Sequence, residues 1–327
     1  MNMSLKNFLI KLSVFLAFVF FFQFIVYRFS IDEEFLNKDV FDNLIKKNAD
    51  IVYFGDSSLE SWDIHDQNKS TTSDMLQDLW PHYPILTVKS HGYHLGRYEE
   101  FYMYFRKKQY HPKLIIVLIN LRSFSPQWDA NPSYQFEKQR IILNYDSLLF
   151  RIFFRPLAIF KVFNFEEIKN SQYLNTKVYN SQTLVGKVED FDNPTYNYSS
   201  EANIKNKIIF HYMFPLDKTH RKLQSMVNLI KDHQLNVLFY ITPIDYQTGE
   251  QYLGAAFREQ VAQDIKLIKL LLDQNNAKYI DLSFSLDASY FAWQQQKYPN
   301  EHLKEAGREF VAQQLSHDVL NQLQKKP

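Results

Sequence analysis

The chain has no cysteine among its 327 residues. That excludes disulfides, thiolate metal sites, lipidation on cysteine and a cysteine nucleophile. It also lacks an excess of either charge: 37 basic against 36 acidic residues leave a formal net charge of +1. No global field gathers nucleic acid or an acidic polymer, and no nucleic-acid partner is expected. Glycine is scarce at 7 residues, whereas aromatics reach 17 %, with 29 Phe and 21 Tyr. We read this balance partly as genome composition and partly as a chain that touches membrane. The length allows one large domain or two small ones, and no internal repeat is evident.

The longest apolar run stands at the amino end. Counted from Phe8 to Val26 it approaches the roughly 20 residues that cross a bilayer, with Lys6 before it, Lys11 near enough to its end to snorkel, and Arg28 after it. No small-x-small cleavage site follows, so a retained signal anchor over residues 1–30 is expected, touching lipid through residues 8–27. The lysines before and Asp32-Glu33-Glu34 after favour a cytoplasmic amino end and a main domain outside. The competing reading is a buried core helix, against which stands the lack of any polar face.

Beyond it, a charged amphipathic segment from Asp32 to Asn48 leads into five apolar runs: 50–54, 84–88, 114–119, 236–241 and 278–282. Helical patterns lie between them, at Arg97–Lys108 and Ala255–Leu272, and the chain closes on a helix from Glu305 to Leu323. Near-continuous apolar strands alternating with helices predict an α/β fold, a doubly wound parallel sheet of about five strands, covering 31–327. Polar residues recur just past each strand, where open α/β sheets bind ligands. The regularity lapses over an insertion at about 127–231. Within it, Leu148–Asn164 mixes Phe with Arg151, Arg155 and Lys161 and fits either a helix lying on a membrane surface or a subdomain packing its aromatics inward. Residues 171–205 read as polar loop.

The first strand ends in Gly55-Asp56-Ser57-Ser58. A serine on a tight strand-to-helix turn stands at the carboxyl edge of the sheet among helix-start N–H groups. Such a hydroxyl needs a base to attack an acyl carbon. His302, in a polar loop before the last helix, is the candidate; its bland alternative is a surface cap, and that of the turn is a plain connection. Ser58 is the other hydroxyl available. His91 and His94 stand three apart, but no further ligands accompany them, so neither metal nor cofactor is expected.

Four blocks in this order resemble the SGNH, or GDSL, hydrolase superfamily. They are Gly55-Asp56-Ser57; the glycine loop His91-Gly92-Tyr93-His94-Leu95-Gly96; Asn120-Leu121-Arg122 where the family carries Gly-x-Asn-Asp; and Asn300-Glu301-His302-Leu303 running to Gly307. The last block has Pro299 where the family places an acid. The resemblance implies a flavodoxin-like sheet, Ser57 as nucleophile, His302 as base, and an oxyanion hole from the Ser57 N–H, the Gly92 N–H and the Asn120 side chain. Arg122 suits an anionic substrate, or else pairs with Asp56 or Asp129. The group orienting His302 stays open among Asn300, Glu301, Asp245, Asp281, Asp287 and a backbone carbonyl. Together with the anchor, the resemblance extends to the branch acting beside membrane-bound O-acyltransferases, in D-alanyl transfer and polysaccharide O-acetylation. It implies an acyl esterase or acyltransferase acting on a cell-envelope carbohydrate or polymer. The alternative is a non-catalytic binding or assembly subunit of a membrane acyltransferase complex.

Overall fold

A computed structural model describes residues 5–29, 33–46, 49–63, 65–90, 92–125, 128, 137–145, 147–152, 201–231, 236–292 and 301–323. His91, Pro299, Asn300, Asp129 and positions 153–200 lie outside the described residues. The elements run α1 (Leu5–Phe29), α2 (Glu33–Lys46), β1 (Ile51–Gly55), α3 (Ser57–Glu60), α4 (Thr72–Leu79), β2 (Ile85–Lys89), α5 (Leu95–Lys107) and β3 (Leu114–Ile119). They continue with α6 (Glu137–Asn144), α7 (Glu201–Tyr212), α8 (Arg221–Lys231), β4 (Val237–Ile241), α9 (Tyr246–Leu253), α10 (Ala255–Gln274), β5 (Lys278–Asp281) and α11 (Glu305–Leu323).

The chain divides into a small unit, residues 1–43 with 137–164, and a large one, residues 44–136 with 165–327. In the small unit α1 carries an apolar stretch, Leu5–Ile25, of mean hydropathy 2.3 and long enough to cross a membrane. Beside this helix the unit has its own packing. Phe35 on α2 is buried with Ile142 on α6, and Phe150 packs against them. Arg151 forks onto Asp39 with bonds of 2.8 and 2.6 Å, so a planar donor meets a planar acceptor.

The large unit is the doubly wound sheet that the strand pattern predicts. All five strands are parallel, in the order β2-β1-β3-β4-β5, the flavodoxin-like order. The central strands β1 and β3 are buried at every residue, because helices cover both faces and leave no solvent side for a polar residue. The edge strand β2 alternates in burial, and β5, at the other edge, opens on an exposed lysine; charge there blocks pairing with another chain. Within the stretch read as irregular, α7 and α8 are helices. On α8, Leu223, Met226, Val227 and Leu229 are buried, a helical stripe that packs in the same unit as the sheet.

Candidate active site

The site lies at the carboxyl edge of β1 and β3, on both sides of the point where the strand order reverses. Gly55 ends β1, and the chain turns at once into α3. A Cβ on Gly55 would come within 1.9 Å of Leu59 Cδ1, so any side chain here would have to displace the buried Leu59 side chain. Asp56 caps α3: its Oδ1 accepts from the Ser58 N–H at 2.8 Å and the Ser58 hydroxyl at 2.7 Å. Ser58 is thereby held facing the cap. Ser57, the first residue of α3, has no preceding turn to accept its N–H.

Ser57 and His302, 245 positions apart, meet with Nε2 3.3 Å from Oγ. This is slightly beyond an optimal bond, a looseness ordinary for a nucleophile and base before substrate binds. Both side chains are largely buried. His302 is held from several directions. Ala292 N–H donates to His302 O at 2.9 Å, and Phe291 bridges Leu303 in antiparallel fashion. Arg308, fully buried on α11, donates to Leu303 O at 2.9 Å and to Asp66 at 2.7 Å, and also to Asn68 O and Ser70 O. Glu305 accepts from the N–H groups of Gln67 and Asn68, both at 2.9 Å. The segment after Ser57 and the segment after His302 are thus laced together. Arg308 and Asp66 were not legible as site residues. One signal marks Arg308: it falls on the stripe of Val311, Ala312, Leu315 and Val319, and an arginine on a core-facing stripe needs a buried partner.

Beneath Ser57 and His302 sits a buried polar network. Asn120 ends β3 and donates through Nδ2 to Asp56 Oδ2 at 2.7 Å and to Glu301 Oε1 at 3.0 Å, while its Oδ1 accepts from Arg122 N–H. Both amide hydrogens of Asn120 therefore point at carboxylates. Arg122 forms an ion pair with Glu301, and both are buried. Its partner is neither of the two acids considered from sequence: Asp56 is bound by Ser58 and Asn120, and Asp129 lies outside the described residues. Glu301 turns towards β3, away from its neighbour His302. Two carboxylates share one amide here, that of Asn120. Burial, then the Glu301 charge, raises the Asp56 carboxyl above the ordinary range, against the pull of its hydrogen bonds from Ser58 and Asn120.

The other acids weighed as partners of His302 make these bonds. Asp245 caps α9 through Thr248 N–H, Asp281 pairs with Lys269 and Ser283, and Asp287 caps a short turn at Ser289. Gly92 is buried with φ 74, a left-handed conformation that turns the loop in front of α5 and that glycine adopts without strain. His94 is the N-cap of α5, its Nδ1 accepting from Gly96 N–H at 3.1 Å. Among the described residues no group of three His, Asp or Glu side chains is placed to hold a metal ion.

No protein-family model matches the chain, and none of the curated proteins does. Among solved structures, the chain is similar to a carbohydrate acetylesterase family member from Sinorhizobium meliloti, at 10 % identity over 84 % of this chain and 98 % of that one, TM-score 0.38. It is similar also to a lipase/acylhydrolase from Enterococcus faecalis, at 11 % identity over 85 % of this chain and 98 % of that one, TM-score 0.35.

Proposed function

We propose that the chain is a membrane-anchored acyl esterase or O-acyltransferase of the SGNH kind, working through Ser57 and His302 on an acylated carbohydrate or polymer of the cell envelope. One observation carries the reading: the His302 ring nitrogen lies 3.3 Å from the Ser57 hydroxyl at the sheet's carboxyl edge, with both side chains buried. In the proposed reaction His302 takes the Ser57 proton as Oγ attacks the acyl carbonyl. The oxyanion that forms is met by the N–H groups of Ser57 and Gly92. Its collapse expels the alcohol with a proton from His302 and leaves acyl-Ser57. A sugar hydroxyl or water, deprotonated by His302, then removes the acyl group. α1 holds the enzyme in the membrane, with the large unit on the outer side.

The Ser57→Ala variant should lose all labelling by a serine-directed fluorophosphonate, while the parent labels. Equal labelling of both proteins defeats the reading.

A second reading, a non-catalytic subunit beside a membrane-bound O-acyltransferase, draws on one feature: both Asn120 amide hydrogens are held by carboxylates, so as placed they do not serve an oxyanion. It predicts no labelling of the parent, and co-purification with a multi-span partner that depends on residues 1–28 or 148–164.

A further inference from the structure

Eight large hydrophobic side chains among the described residues outside α1 are exposed, and four of them, Ile141, Tyr145, Leu148 and Leu149, fall within nine residues of the small unit. The other four, Trp62, Leu79, Met103 and Leu270, are scattered through the large unit, as single surface apolar residues ordinarily are. Ile141 lies on α6, Tyr145 just past its end, and Leu148 and Leu149 open the next helical stretch. The neighbouring Ile142, Leu143 and Ile152 are buried, and Ile142 clusters with Phe35 on α2, so one set of side chains packs inward while the other is left to its surroundings. Tyr145 and Leu148 are each 62 % exposed, an unfavourable display in water. Arg140, also exposed, stands beside them.

We propose that this exposed cluster, Ile141, Tyr145, Leu148 and Leu149, lies in the headgroup–acyl boundary of the bilayer that α1 crosses; the inference rests on reading α1 as a membrane span. The partner is argued from the tether. Five residues separate Phe29, the last of α1, from Phe35, so at most about 20 Å of chain lies between them. The Phe35 ring is 6.1 Å from that of Phe150, which follows Leu149 directly. The apolar cluster is therefore confined to the neighbourhood of the point where α1 leaves the membrane. A tyrosine, two leucines and an adjoining arginine are the composition that settles into that boundary.

The absence of cysteine makes the test clean. Leu149→Cys and, separately, Phe15→Cys in α1 carry a nitrobenzoxadiazole probe in the full-length chain, reconstituted into phosphatidylcholine–phosphatidylglycerol vesicles. The expected result is a blue-shifted Leu149 probe that loses its fluorescence to nitroxide-bearing lipid and keeps it in aqueous iodide. The Phe15 probe should respond to nitroxide placed deep in the acyl chains. A Leu149 probe quenched by iodide, or shielded from both quenchers, overturns this inference alone while Phe15 still reports lipid. A Phe15 probe that never meets lipid overturns the anchor and this inference with it.

Discussion

At the scale of single residues, the point where this chain departs from the SGNH pattern its sequence resembles has a physical partner. The family block after the third strand carries Gly-x-Asn-Asp, and here Asn120 is followed by Leu121 and Arg122. The guanidinium is matched by Glu301, one residue before the candidate base. Removing one member of a buried pair strands the other charge, a loss of about 3–5 kcal/mol. Arg122→Met should therefore destabilise the detergent-solubilised full chain by about that much in urea unfolding. Arg122→Met combined with Glu301→Gln should recover most of the loss, because neither charge of the pair is then left stranded. A single variant as stable as the parent would show that the pair contributes nothing net. The two variants also separate stability from positioning: His302 follows Glu301 directly, so an uncoupled Glu301 should weaken fluorophosphonate labelling even where the fold survives.

At the scale of elements, the legible features are those written in contiguous sequence. The runs at 51–55, 114–119 and 237–241 read as strands because helices cover both faces and every position can be apolar. Gly55-Asp56-Ser57 read as a turn because Asp56 caps its own helix two residues on. What joins distant elements was not legible. Arg122 meets Glu301 across 179 positions and Arg308 meets Asp66 across 242, and no local pattern names such partners. Asp264 is another case. It sits on α10 and is buried, with Leu216 N–H donating at 3.0 Å and Gln260 Nε2 at 3.2 Å, so it ties the stretch after α7 to the helix. Burial outweighs these bonds and pushes its carboxyl up to about 7. The unfolded chain releases this proton near 3.8, whereas the folded chain keeps it until about 7. Stability contributed by the protonated group is therefore lost as pH rises through that window, by at most about 1.4 kcal/mol per pH unit. Asp264→Asn keeps the acceptor for Leu216 and removes the titration. Its stability relative to the parent should rise by roughly 2 kcal/mol between pH 5 and 7, read from paired urea unfolding curves. A difference constant with pH would mean that Asp264 ionises in the fold as it does in water.

At the scale of the whole molecule, the question is which side of a membrane the large unit occupies. The apolar window of α1 spans 21 residues, all outward-facing, or about 31 Å at helical rise, the thickness of a bilayer's hydrocarbon core. Lys6 and Lys11 lie at its amino end. Arg28 follows it, and the next charges, Asp32, Glu33 and Glu34, are acidic. Lys6 and Lys11 on one side are matched by Arg28 and Lys38 within about 15 residues on the other, so the basic residues that set orientation are even, and the outward placement of the large unit rests on the proposed envelope substrate. The expected topology has the amino end in the cytoplasm and the large unit across the membrane, where an envelope polymer would be met. Leu270 on α10 is 49 % exposed, and the native chain has no thiol, so Leu270→Cys gives a single reporter on the large unit. In intact cells this variant should react with a membrane-impermeant maleimide to the same extent as after lysis. Met3→Cys, placed before the span, should react only after lysis. The reverse pattern would put the large unit in the cytoplasm. It would leave the Ser57–His302 pair its chemistry, but with an intracellular acyl ester as its substrate.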